Sequence, residues 1–174
     1  MERLSYEESI AEMKRRSFIS EEARPVMAPG RPSPDDDNPD GLSFFRTRVE
    51  GDLSALSIPR TLFCRSEVCD CVFVGTDLSE SFLCWNDFTD VDFSSAILKS
   101  ADLRSSIYTR VRFIGADLSG ADLRHATFED CDFTDAVMSG AKLARSQSSG
   151  LEISPAQKKR IDWTFLSGNE PPGG

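Results

Sequence analysis

Side chains able to do chemistry are few and scattered in this chain. His125 is its only histidine, and no serine-histidine-aspartate or cysteine-histidine motif includes it, so nucleophilic catalysis has no signature here. The five cysteines (Cys64, Cys69, Cys71, Cys84 and Cys131) lack the spacing of a zinc site. Aspartate is abundant, yet Asp52, Asp77, Asp87, Asp92, Asp102, Asp117, Asp122 and Asp132 each sit directly before a large apolar residue. A short carboxylate in that place is suited to accept hydrogen bonds from turn backbone, not to ligate a metal. The expectation is a protein with no catalytic residue, no cofactor and no metal. What remains is chemistry that binds other proteins: Phe82 and Trp85 in the company of Arg65, Arg104, Arg124 and His125.

Those six residues form a neighbourhood only if distant parts of the chain stack, and an internal repeat says that they do. Every fifth residue from Leu53 to Leu143 is large and apolar, 19 positions without interruption. Two residues before each, the side chain is mostly small, as at Ala96, Ala101, Ala116 and Ala121. A period of five suits neither a helix nor a flat strand. It suits a chain that turns a corner every five residues, with one large and one small side chain inward and three facing water.

Four corners close a square after 20 residues, and reading every twentieth residue sorts the core by type. One side carries Leu53, Phe73, Phe93, Phe113 and Phe133; the next carries Ile58, Leu78, Leu98, Leu118 and Met138. The third carries Phe63, Leu83, Leu103, Leu123 and Leu143, and the fourth Val68, Phe88, Tyr108 and Phe128. Aromatic residues dominate two adjacent sides. The fold class expected is therefore all-β, a quadrilateral β-helix of about five coils, roughly 23 Å long at ~4.8 Å per strand, with short helical or irregular flanks.

The best copies read Ala-Asp-Leu, as at Ala101-Asp102-Leu103, Ala116-Asp117-Leu118 and Ala121-Asp122-Leu123. In this, residues 51–145 resemble the pentapeptide-repeat proteins, and the resemblance implies a right-handed quadrilateral β-helix. It also implies two kinds of protein partner. One is a toxin effector neutralised by an immunity or antitoxin-type protein. The other is a type II topoisomerase (gyrase) bound by a DNA mimic that modulates quinolone sensitivity; a secretion-system scaffold or adaptor is a further reading.

Stack ends expose apolar core and need caps, and the flanks offer them. Residues 1–23 read as a helical arm opened by the capping box Ser5-Tyr6-Glu7-Glu8, either free to grip a partner or folded on the rod. Residues 24–41 read as a flexible Pro/Asp/Gly linker, 42–50 as an N-terminal cap, and 146–167 as a C-terminal cap starting at Ser154-Pro155 and covering the end with Ile161, Trp163 and Phe165. The tail 168–174 reads as disordered, and the chain as a monomer or a dimer through a rod end.

A net charge of −9, with no apolar run long enough to span a membrane and no export signal, points to a cytoplasmic protein that binds neither nucleic acid nor membrane directly. The repeat region alone carries 15 acidic against 9 basic residues. Twenty-residue stacking aligns Arg65, Trp85, Ser105, His125 and Arg145 in one row and Cys64, Cys84, Arg104 and Arg124 in the next, beside Leu62 and Phe82. That stripe, with exposed Phe82 and Trp85, is the expected partner-binding surface. Cys64, Cys69 and Cys84 are expected on outward positions as free thiols, and Cys71 and Cys131 as core filler.

Overall fold

The computed structural model describes residues 2–33, 41–147 and 151–164. In chain order these form helix α1 (Tyr6–Arg15), strands β1 (Ser43–Phe45), β2 (Arg48–Asp52), β3 (Leu62–Cys64), β4 (Glu67–Val72), β5 (Asp87–Thr89), β6 (Ile107–Thr109), β7 (Thr127–Glu129) and β8 (Lys142–Ala144), then helix α2 (Pro155–Lys158) and strand β9 (Asp162–Thr164). The strands wind into a right-handed quadrilateral β-helix of about six turns. Pairing is parallel, and each full coil lies 20 residues from the next: Val68 faces Phe88, Phe88 faces Tyr108, and Tyr108 faces Phe128.

Corners come from the backbone. The second residue after nearly every large core position has φ between +50° and +69°, from Arg46 to Gly140. On the first and second sides, from Phe73 to Met138, the amide three residues after the core residue bonds back to its carbonyl, as from Ala96 to Phe93 and Ala116 to Phe113, both at 3.0 Å, closing a turn of type II geometry. Seven of the eight aspartates before a core residue work as expected: Asp52, Asp77, Asp92, Asp102, Asp117, Asp122 and Asp132 each accept the amide two residues on, whereas Asp87, exposed at the start of β5, does not.

Inside, the core ladder is buried throughout except for Phe128, which is only partly so. Phe73, Phe93, Phe113 and Phe133 form one stack with centroid spacings of 4.9, 5.4 and 4.8 Å. Phe88, Tyr108 and Phe128 form a second at 4.9 and 5.2 Å, meeting the first edge to face. The strand spacing itself imposes this stacking. Leu78, Leu98, Leu118, Leu83, Leu103 and Leu123 fill the two aliphatic sides. At three of the polar inward positions the side chain donates to the coil before, Thr76 to Leu53, Asn86 to Phe63 and Ser106 to Leu83, whereas Thr61 donates within its own coil to Ile58.

The flanks differ from the sequence expectation at the N-terminal end. Residues 43–52 are not a lid; β1 and β2 pair in parallel with β3 and β4 and begin another coil, displaced by 19 residues until an irregularity between Val49 and Gly51 restores 20. The lid is α1, with its capping box formed. Met13 lies fully buried in the common core, Leu4 N–H donates to Ala55 at 2.9 Å, and Ser57 N–H donates to Ser9 Oγ at 2.7 Å. Residues 24–33, expected to be flexible, lie against the rod: Arg60 donates to the Ala28 and Pro29 carbonyls and Arg31 to that of Ser100.

At the other end Ile161 joins the core and Trp163 packs on it, in register with Leu143. Gln157 Nε2 donates to the Phe133 and Ala136 carbonyls, and Gln147 Nε2 to those of Leu123 and Ala126. Phe165, the tail 168–174 and part of the proposed linker lie outside the described residues.

Because Phe93 stacks on a ring above and a ring below, Phe93→Ala opens a cavity that neither neighbour can fill. It should lower unfolding free energy in urea by about 3–5 kcal/mol; a loss under about 1 kcal/mol would show the stack to be mispositioned.

Candidate protein-interaction surface

Corner geometry decides which side chains the rod displays. At the corner leaving the third side, Arg46, Arg65, Trp85, Ser105 and His125 all have φ between +50° and +62°. A bulky residue in that left-handed region is strained in isolation. Here the ladder imposes it, and the side chain is thrust out from the edge of the square. Successive corner residues therefore form a column, one per coil.

Trp85 is the centre of this column and is 49% exposed. It is held on two sides: the Phe82 ring meets it edge-on at 6.1 Å, and the Arg65 guanidinium lies over it at 5.8 Å. Arg65 and Trp85 thus come together as expected, but Phe82 does not share the surface. It is only 5% exposed and forms a small satellite cluster with Leu62, Cys64 and Cys84. Cys64 and Cys84, expected to face water, are buried there as free thiols, because apolar side chains line that outward face for two coils.

Arg104 and Arg124 are also placed differently from a free basic stripe. Arg104 donates through Nε and a terminal nitrogen to both oxygens of Asp102, at 2.8 and 2.7 Å. Arg124 grips Asp122 in the same way, at 2.9 and 2.7 Å. Both arginines are spent on the aspartate of their own repeat. Cys84 Sγ–H donates to Asp102 Oδ1 at 2.8 Å. Burial, together with the Asp102 hydrogen bond and charge, pushes the Cys84 thiol far above its usual range. Burial also disfavours charge on Asp102, but the hydrogen bonds from Arg104 and Cys84 prevail and hold its carboxyl below the ordinary value. His125 is exposed further along the column.

Phe45 and Arg46 are the surface residues that sequence reading missed. Phe45 pairs in register with Cys64, which sets Arg46 beneath Arg65. Phe45 is 47% exposed, and the Arg46 guanidinium lies 5.1 Å from its ring centre. Among the described residues neither Arg46 nor Arg65 has an ion-pair partner, whereas Arg48, Arg60, Arg104, Arg110, Arg112 and Arg124 all do. The signal was present in Phe44 and Val49, which repeat the core pattern one residue out of phase. The surface is therefore Phe45, Arg46, Arg65 and Trp85, two aromatic rings and two uncompensated cations on an acidic rod.

The acidic corner is less uniform than its composition. Asp70, Asp90, Arg110 and Asp130 share a column, but Arg110 binds Asp90 bidentately at 2.7 and 2.6 Å. Among the described residues no group of three or more histidine, cysteine, aspartate or glutamate side chains could hold a metal ion. No helix there is long and apolar enough to cross a membrane.

The family description Pentapeptide repeats (8 copies) matches residues 70–104 and 109–146. No curated protein matches the chain significantly. Among solved structures it is similar to the pentapeptide repeat protein Rfr23 from the cyanobacterium Cyanothece 51142, at 16% identity and a TM-score of 0.53, covering 56% of this chain and 80% of that one. A pentapeptide repeat protein of the Arabidopsis thaliana thylakoid lumen is 22% identical, with a TM-score of 0.44 over 71% of this chain and 83% of that one. QnrB1, a plasmid-mediated fluoroquinolone resistance protein, is 18% identical, with a TM-score of 0.29 over 72% of this chain and 80% of that one. These likenesses concern the fold.

Since the Asp102 carboxyl is lowered in the folded protein, its pairing stabilises the fold above the ordinary carboxylate value of about 4 and is lost as acid protonates it. Asp102→Asn should lower the melting temperature at pH 7, with the gap to wild type shrinking below about pH 4. A gap that stays constant from pH 7 to pH 2 would contradict this.

Proposed function

We propose that this chain, a member of the pentapeptide-repeat family, is a non-enzymatic binding protein of the cytoplasm that neutralises a bacterial toxin effector in the manner of an immunity protein. Pentapeptide-repeat proteins are in general structural or interaction proteins. The observation that carries the reading is Trp85, half-exposed and packed between Phe82 and Arg65. A rigid aromatic anchor beside arginine loses little side-chain entropy on binding and has the composition of an energetic centre in an interface. Phe45 and Arg46 extend it along the column.

Charge works at two ranges. The net charge of −9 draws a basic partner from a distance. At contact, the uncompensated Arg46 and Arg65 favour a loop that presents a carboxylate next to an apolar group. The alternative, a DNA mimic directed at a type II topoisomerase, rests on the acidic column of Asp70, Asp90 and Asp130, which Arg110 interrupts.

Affinity capture of the tagged protein from its native cytosol, followed by titration of the captured partner, tests this reading. One stoichiometric partner whose toxicity the protein suppresses is the expected result. The double variant Arg65→Ala/Trp85→Ala should weaken that complex by more than ~2 kcal/mol, about 30-fold or more in Kd, without moving the melting temperature. Wild-type affinity in the double variant would remove this surface from the interface, and capture of topoisomerase subunits alone would replace the toxin reading.

A further inference from the structure

The lid at the N-terminal end of the rod carries a groove of its own. Tyr6, Glu7, Ile10 and Lys14 of α1 line one wall and residues 23–27 of the returning chain line the other, bounding about 450 Å³. Tyr6, Ile10 and Lys14 follow one another at four-residue spacing along one helix face, so the groove runs roughly 12 Å at ~1.5 Å per residue. Hydrogen bonds hold the second wall. Ala23 N–H donates to the Ser20 carbonyl at 3.1 Å, Lys14 Nζ to that of Glu21 at 3.0 Å, and Arg24 to those of Glu21 and Ala23 at 2.6 and 2.9 Å. The first wall is tied to the first two sides of the rod through Ala55 and Ser57, whereas Arg46, Arg65 and Trp85 stand at the corner leaving the third.

The chain leaves three features of this groove unmet. Val26 and Met27, adjacent in sequence, are 67% and 41% exposed. Tyr6 is nine-tenths buried, and its hydroxyl is the one buried side-chain oxygen or nitrogen among the described residues with no hydrogen-bond partner, a costly state that folding ordinarily avoids. Glu7, Glu21 and Glu22 have no ion-pair partner among the described residues, whereas Glu8 closes the capping box and Glu12 is bound by Arg15 and Arg16. Lys14 and Arg24, the cations beside the groove, are turned to backbone carbonyls and reach none of these carboxylates. Burial and the Glu7 charge raise the Tyr6 phenol above its ordinary value, so it stays a neutral hydroxyl whose oxygen can accept a hydrogen bond. Residues outside the described range do not match the groove. Residues 34–40 contribute four aspartates and no large apolar side chain, and 165–174 contribute Phe165 and Leu166 but no cation.

We propose that this groove is a second binding site, which takes a short segment of a partner protein carrying two apolar side chains and, beside them, a lysine or arginine. The apolar side chains lie on Ile10, Val26 and Met27, and the cation donates to the Glu7 carboxylate and the Tyr6 hydroxyl oxygen. That hydroxyl is closed to water in the chain alone, so the wall at Met27 yields as the cation enters; an unbranched, exposed methionine does this readily. The cation then meets an acceptor that folding alone left unused, which favours lysine or arginine there over a purely apolar group. Exposed apolar side chains supply the contact area, and the acidic rim supplies the selectivity for a basic partner. The site does not depend on the toxin reading.

The probes are four acetylated, amidated ten-residue peptides, each with two leucines four residues apart and one lysine placed one to four residues beyond them, with serine elsewhere. They are titrated into the full-length protein by calorimetry, with backbone amide shifts followed by NMR. At least one should bind saturably at 1:1, with shift changes confined to α1 and residues 20–28. Val26→Ser/Met27→Ser, which alters only exposed side chains, should weaken that peptide by about tenfold or more. Tyr6→Phe removes an unpartnered hydroxyl, so it should leave the melting temperature equal or higher while still weakening the peptide by about fivefold or more; a merely structural tyrosine would not separate the two. Norleucine or glutamate in place of the lysine should lose about tenfold or more. No binding of any of the four at millimolar peptide would overturn the proposal, as would equal binding of the glutamate peptide or equal binding by Val26→Ser/Met27→Ser. So would a concentration-dependent dimer of the protein alone that Val26→Ser/Met27→Ser dissolves, which would give the groove to a second copy.

Discussion

The left-handed corner is the constraint on which the rest of this molecule depends. Fifteen non-glycine corners, from Arg46 to Asp135, hold φ near +55°, a conformation that costs an ordinary residue about 1 kcal/mol or more. No single five-residue side could sustain it. Each corner is held because the amides on both sides of it are tied to the coils above and below, and because the core residue two positions earlier is locked in a stack. Corner, ladder and core therefore stand or fall together, as expected where each repeat buries its apolar face only against its neighbours.

One consequence is that surface chemistry is organised in columns. Neighbours on the surface are 20 residues apart in sequence, and their separation is set by the strand spacing. Arg110 meets Asp90 and Arg112 meets Asp92 across coils for this reason. Arg104 and Arg124 instead turn back to the aspartate of their own repeat. The same arginine type is thus neutralised in either of two ways, and Arg46 and Arg65 stand out because neither way is open to them. The aspartate before each core residue does double duty, closing its turn and, at Asp102 and Asp122, fixing the arginine two residues on.

The ends answer a different problem. A parallel stack terminates in unpaired amides and carbonyls with an exposed core. At the N-terminus an amphipathic helix covers it, with Met13 as the plug. At the C-terminus two glutamines, ten residues apart, each bond a pair of carbonyls at the same offsets in the preceding coil. Side-chain amides stand in for missing backbone there.

Much of this was legible in the residues alone. A period of five closing at 20 specifies the square, the stacked aromatic sides and which residue follows which along a column, because a repeat leaves the chain one way to bury all its large side chains. The Ser5 and Ser154 caps were legible for the same local reason. Tertiary structure alone decided what the columns present. That Phe82 and Cys84 are buried while Trp85 is not, that Arg104 is bound while Arg65 has no ion pair among the described residues, and that Phe45 joins the surface all depend on contacts between coils, or on a register shift of one residue. Period and composition specify where a side chain stands along the solenoid. Which charges remain uncompensated is set by distances of a few ångströms between partners, and those exist only once the coils are stacked.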